Sequence, residues 1–148
     1  VTSPVLFSRR SDEWATPAGL FADLDAEFHF DLDAAATPSN AAVPRYLTNA
    51  LNAQWERCGT RIWCNPPYSQ IRSFLHRASR AARCGAVVVC LVPSRTDTRW
   101  WHEYVWDTER QRPRAGVKVR FLKGRLKFGD GHGSAPFPSA VIIFRSRA

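Results

Sequence analysis

Residues 61–93 read RIWCNPPYSQIRSFLHRASRAARCGAVVVCLVP, and this stretch decides the fold. Arg61 to Cys64 is a brief strand, and the Asn65-Pro66-Pro67-Tyr68 turn breaks it. Ile71, Phe74, Leu75, Ala78 and Ala82 then recur at spacings of three and four, which lays one apolar face along a helix closed by Gly85. Ala86 to Val92 is a continuous apolar run stopped by Pro93, the reading of a strand buried on both faces of a parallel sheet. Strand, helix, strand in this order builds an open α/β sheet covered by helices.

The pattern extends in both directions. Upstream, Thr16 as N-cap and Pro17 at the first helical position predict a helix with Leu20, Phe21, Leu24 and Phe28 on its apolar face. Phe28, Phe30 and Leu32 then alternate with His29, Asp31 and Asp33, predicting a short strand that ends in acidic residues and runs into the loop Ala34 to Asn40. Leu51 and Trp55 suggest a short helix around Thr48 to Glu56. Downstream, Val117-Val119-Phe121 and Leu126-Phe128 alternate, and Ala140 to Phe144 is another apolar strand after the loop Gly129 to Pro138. These strands lie too close in sequence for helical crossovers, so an antiparallel C-terminal hairpin is expected at one side of a mostly parallel sheet. Val1 to Ser11 reads as a loose arm, which leaves one domain over 12–148.

Composition bounds the function. A chain of 148 residues, 45% hydrophobic, with 6 Trp and 9 Phe, has the material for one real core. No apolar run approaches the ~20 residues of a membrane span, and no leader opens the sequence, so a secreted or membrane protein is disfavoured. Cys58, Cys64, Cys84 and Cys90 and the four histidines lack metal-ligand spacing, so no metal is expected and the thiols read as buried free groups in a reducing cytoplasm. The net charge of +8 is lopsided: residues 1–74 carry 6 basic side chains against 8 acidic ones, residues 75–148 carry 15 against 5. A basic half beside a slightly acidic one suggests a polyanion-binding face, although a generally solvated basic surface would count the same.

The chemistry concentrates at Asn65-Pro66-Pro67-Tyr68, where a strand ends and ligands of open α/β sheets bind. An exocyclic amine on a purine is a poor nucleophile because its lone pair is delocalised into the ring. The Asn65 amide oxygen and the Pro66 carbonyl can accept its two hydrogens and return the lone pair to the nitrogen. The prolines stiffen the turn, and Tyr68 offers a flat face to a base that has left the duplex. The same four residues also make a plain proline turn with an aromatic plug.

Several ordered segments add weight. Asp12-Glu13-Trp14-Ala15-Thr16-Pro17, Phe30-Asp31-Leu32-Asp33-Ala34-Ala35-Ala36, Trp63-Cys64-Asn65-Pro66-Pro67-Tyr68-Ser69, the run Pro93 to His102, Gly124-Arg125-Leu126-Lys127-Phe128-Gly129 and Ala135 to Ala140 succeed one another along the chain. Together they resemble the signatures of the phage-type, Dam-like DNA adenine-N6 methyltransferases, from about Asp12 to Phe144. The resemblance implies an abridged Rossmann-like fold of the S-adenosylmethionine-dependent methyltransferases, S-adenosylmethionine as cofactor, DNA as partner, and methyl transfer to adenine N6 in a bacterial host cell. It implies catalytic roles for Asn65, Pro66, Pro67 and Tyr68. It assigns the cofactor pocket to Trp14, Thr16, Pro17, Ala34, Ala35 and Asn65, with Asp33 near the methionine amino group. Another planar nitrogen (cytosine N4, RNA adenine or a protein glutamine) and a module that only binds DNA remain as alternatives, and both monomer and homodimer stay open.

The chain departs from that pattern in two places. The first-strand loop has no glycine, so Ala34 to Ala36 must let a cofactor approach with small side chains, and Tyr46 to Trp55 holds no acid to grip a ribose. Arg95, Arg99 and Trp100, then Arg125 and Lys127, combine cationic and aromatic groups suited to DNA. Trp101, one turn before Val105, reads at least as well as core. Arg114, Lys118, Arg120 and Lys123 belong to the same alternating basic stretch. No separate target-recognition domain fits in this length.

Overall fold

Alternate residues of a central strand face opposite sides of a sheet, so an uninterrupted apolar strand needs a cover on each side. The computed structural model, which describes residues 15–127 and 136–147, supplies both. Helix α1 (Ala18–Phe28) covers one face and helix α2 (Ile71–Arg83) the other. The sheet contains β1 (Leu32–Asp33), β2 (Arg61–Cys64), β3 (Val87–Pro93), β6 (Val117–Phe121) and β7 (Ser139–Phe144) in the order β1-β2-β3-β7-β6. The first three are parallel, β7 runs antiparallel to β3, and β6 antiparallel to β7, which makes a mixed α/β sheet. A separate ribbon pairs β4 (Trp106–Asp107) with β5 (Arg112–Pro113).

The two cores follow the alternation. Ile62, Cys64, Val88, Cys90, Val92 and Ile142 pack under α2 with Phe74, Leu75 and Ala78. Trp63, Val89, Leu91, Val141 and Ile143 pack with Leu24, Phe28 and Phe30 on the α1 side. Each fully buried Leu, Ile or Val contributes roughly 1.5–3 kcal/mol relative to an exposed one, so these two rows hold the layers together.

The expected parallel unit over 61–93 is present, and the last strands pair antiparallel across the connection 122–138. Several boundaries differ. Pro17, not Thr16, is the N-cap of α1, and α1 continues through Phe28, which the strand pattern also claimed. His29 then ends the helix in the left-handed region, and only Leu32–Asp33 remains as strand. The helix expected at Thr48 to Glu56 is two single turns, Ala50–Asn52 and Trp55–Arg57. Trp55 there is fully buried, its indole nitrogen donating to the Ala50 carbonyl at 2.9 Å, so one anchored ring replaces a helical face. After β3 the chain forms a π-helical turn, Trp101–Val105, that buries Trp101 and Val105. The strand expected at Leu126 to Phe128 falls partly outside the described residues, as do the loop 129–138 in part and the N-terminal arm. No described helix is long and apolar enough to cross a membrane.

Candidate active site

Asn65 begins where β2 stops, and in parallel sheets that end is where loops diverge and leave a crevice. Its side-chain nitrogen donates to the Thr16 hydroxyl at 2.9 Å. Thr16 therefore serves Asn65 rather than capping α1, and the bond fixes the plane of the amide. Around this pair lies a cavity of about 720 Å³, within the ~300–1,000 Å³ of small-molecule sites. The entry of α1 (Thr16, Phe21), the loop after β1 (Ala35, Ala36, Thr37, Asn40), and Trp63, Asn65, Pro67 and Gln70 contribute to its wall.

Asp33 also opens onto this cavity although the residue is only 3% exposed. Its backbone is bracketed by Arg45 and Leu47, and its carboxylate accepts the Ala35 amide at 3.1 Å and the Ala42 amide at 2.9 Å. One side chain thus closes the whole loop from 34 to 42 over the cavity. Burial pushes the carboxyl above the usual aspartate range, and the two amide bonds offset part of that shift. Each oxygen retains acceptor capacity, so a cation entering the cavity would meet a desolvated carboxylate.

The remaining anticipated positions fall into distinct places. Ala35 lines the cavity, whereas Ala34 is fully buried in the α2-side core and Pro17 acts as the cap of α1. The small residues thus thin the wall at Ala35 and Ala36, and Ala34 instead lets the loop pack. Trp14 lies outside the described residues. Pro66 is buried, and Pro67 lines the cavity and N-caps the turn Tyr68–Gln70. Tyr68 turns away from the cavity wall toward β7, meeting Phe137 edge to face with centroids 5.3 Å apart. Its hydroxyl is buried with no hydrogen-bond partner among the described residues, and burial holds it protonated well above the usual phenol range. The hydroxyls of Ser94 and Ser139 share that condition, and they flank the paired ends of β3 and β7.

The Arg95 guanidinium sits 5.8 Å from the Phe137 ring centre, beside Tyr68. Arg99 is exposed and Trp100 is half-buried against Trp101. Arg125 and Lys127 are exposed beyond the end of β6. Arg120 and Arg114 leave the basic stretch: Arg120 grips both oxygens of Glu27 on α1 at 2.7 and 2.6 Å, and Arg114 donates to the His102 carbonyl. Alternation along the basic stretch gave no sign of these uses, because the partners lie outside it, 93 and 12 positions away.

Sequence reasoning passed over Thr37, Ser39, Asn40, Thr48 and Gln70, which line the cavity with neutral polar groups. For Thr37, Ser39 and Asn40 the signal was the polar loop after an acidic strand end; Thr48 and Gln70 carried none. Residues 46–55 contribute Leu47, Thr48 and Ala50 rather than an acid, and Asp33 is the one carboxylate on the wall among the described residues. Those residues hold no group of three or more His, Cys, Asp or Glu placed for a metal ion.

The family model for DNA N-6-adenine-methyltransferase (Dam) matches residues 5–145. A DNA N-6-adenine-methyltransferase of Haemophilus phage HP1 (strain HP1c1) is 35% identical over 149 aligned residues, covering 95% of this chain and 84% of that protein. One of Escherichia phage T1 is 31% identical over 96 residues, covering 62% of this chain and 40% of that protein.

Proposed function

The chain belongs to the DNA N-6-adenine-methyltransferase (Dam) family, and from that membership we propose that it transfers a methyl group from S-adenosylmethionine to adenine N6 in DNA at the Asn65 turn. The observation that carries the reading is that Asn65 and Asp33, at the carboxyl ends of neighbouring parallel strands, face one cavity of cofactor size. The three-stranded parallel part of the sheet, with a helix on each face, is an abridged Rossmann-like scaffold in this reading.

S-adenosylmethionine supplies a methyl carbon made electrophilic by its sulfonium. The residues present fit such a group: Asp33 offers a desolvated carboxylate to the methionine ammonium, Ala35 and Ala36 keep the wall thin, and Thr37, Asn40 and Thr48 offer neutral hydrogen-bonding groups in place of a ribose-gripping acid. Thr16 holds the Asn65 nitrogen, which gives Oδ1 the acceptor role toward the target amine. Asn65 Oδ1 and the Pro66 carbonyl accept the two N6 hydrogens and localise the lone pair on nitrogen. The cofactor, held by Asp33 and the cavity wall, would supply that methyl carbon for direct displacement by N6, and the surplus N6 proton would pass to water. No covalent enzyme intermediate is needed, because positioning and lone-pair activation supply the rate. The Tyr68, Ser94 and Ser139 hydroxyls, without hydrogen-bond partners among the described residues, lie at the same end of the sheet, where an extruded base would bring polar edges.

The test incubates unmethylated duplex DNA with labelled cofactor, digests it to nucleosides and identifies the methylated one by mass spectrometry. N6-methyl-2′-deoxyadenosine is the expected product, and Asn65→Ala should lower its rate by at least ~100-fold, as loss of one preorganised transition-state contact does. A label on cytosine, or near-normal turnover by folded Asn65→Ala, would overturn the reading.

A further inference from the structure

Phe121 is 64% exposed, and no other large hydrophobic side chain among the described residues is comparably open. It is the last residue of β6, and β6 runs in the same sense as β3 because each is antiparallel to β7. Phe121 therefore lies at the carboxyl end of the sheet, the end that carries Asn65. The register fixes its height: Cys64 is level with Cys90, Cys90 with Ile142, and Ile142 with Val119, so Phe121 stands two residues beyond Cys64, level with Pro66. Three strand spacings, about 15 Å, separate the two strands, close to the ~12 Å width of a major groove.

The ring is supported from behind. Val117, Val119 and Phe121 share one face of β6; the two valines pack on the α2-side core, and Phe121 stacks on the buried Trp101 at 6.4 Å with 26° between planes. Trp101 in turn packs edge to face on Trp100. The exposed ring is followed by Lys123, Arg125 and Lys127, all exposed. An apolar ring on a rigid platform, followed along the chain by exposed cations, matches a duplex: cations meet phosphates, and apolar side chains enter between base steps.

We propose that Phe121 is a wedge that inserts into the duplex next to the target base pair and fills the stack while adenine is extruded toward Asn65. The inference rests on the DNA-methyltransferase reading for the identity of that base. Phe121 is a positioning residue in this scheme, since it touches DNA away from the reacting atoms.

Two measurements test it with the whole protein. In the first, plasmid DNA is relaxed by a topoisomerase in the presence of wild type, Phe121→Ala or Phe121→Trp. Wild type and the Trp variant should shift the linking number by unwinding the duplex, and Phe121→Ala should not. In the second, oligonucleotides carry the methylated site found with wild type, with the target adenine either paired or opposite an abasic position. Phe121→Ala should methylate the paired target about tenfold or more slowly, the scale of one lost stacked aromatic, and the unpaired target within about twofold of wild type. Phe121→Trp should recover most of the difference. Wild-type unwinding or methylation unchanged in Phe121→Ala would overturn the wedge while leaving the methyltransferase reading intact. Phe121-dependent unwinding without any adenine methylation would keep the wedge and remove the methyltransferase reading. A wild-type dimer that Phe121→Ala dissociates in sedimentation would assign the ring to a second copy and overturn the proposal.

Discussion

Thr16 anchors the Asn65 amide and Asp33 closes the 34–42 loop, both at the rim of one cavity. Removing the Thr16 hydroxyl leaves the Asn65 amide without its 2.9 Å anchor, so Thr16→Val should slow methyl transfer about tenfold by loosening a positioned acceptor. The same change should add almost nothing to Asn65→Ala, because the two act as a unit; independent losses in the double variant would dissolve the link. Asp33 produces a pH signature of opposite sign to an ordinary salt-bridged acid. Its folded-state pKa is raised by burial, so its contribution to the stability of the ligand-free protein is full below the unfolded aspartate value and is lost as pH rises through the raised one. A bound ammonium favours the ionised form, so cofactor affinity should fall as pH drops through that raised value, with proton release on binding within the window. Calorimetry across mildly acidic pH measures both effects. Asp33→Asn should weaken cofactor binding, flatten its pH dependence, and cost about 1–3 kcal/mol of stability because one of the two loop amides loses its acceptor.

At the scale of elements, β6 separates cations that hold the fold from cations that face outward. Arg120 is tied to Glu27 and lies over Phe28 at 5.6 Å, fastening the edge strand to α1. Arg125 and Lys127, past the strand end, are exposed. Replacing both by Ala should reduce the slope of log DNA affinity against log salt by up to about one unit per lost phosphate contact and leave cofactor affinity unchanged. The ranking of DNA sequences should survive, since phosphate contacts position without reading. Arg120→Ala should leave the slope alone and lower the melting temperature instead; the reverse pattern would reassign the two groups. The turn into β6 depends on Gly116, whose φ of 77° favours glycine and whose added Cβ would strike the Arg145 carbonyl. Gly116→Ala should destabilise the β6–β7 edge by more than the ~1 kcal/mol typical of a tolerated glycine replacement, read as a loss of thermal stability.

Across the whole molecule, what could be read from the chain was what depends on near neighbours. The strand, turn and helix from Arg61 to Pro93 follow from local spacing, and the Asn65-Pro66-Pro67-Tyr68 turn carries its chemistry in adjacent residues. Where two periodicities overlapped, the local reading failed. Phe28 satisfied both a helix face and a strand alternation, and the αL closure at His29 settled it for the helix because Phe28 packs with Phe30 and Trp63 under α1. Thr16 looked like a cap because its sequence neighbours are helical, but its hydroxyl is engaged by Asn65 across 49 positions of chain. The loop-closing carboxylate of Asp33, the Arg120–Glu27 pair and the stacking of Phe121 on Trp101 likewise join residues that only strand order and register bring together. Sequence alone thus determined which residue types could accept an amine's hydrogens and roughly where strands and helices run, since hydrophobic period and turn chemistry are local. Tertiary structure decided which polar groups face the cavity, which cations remain outside it and which aromatic is left uncovered, since each depends on contacts between distant segments.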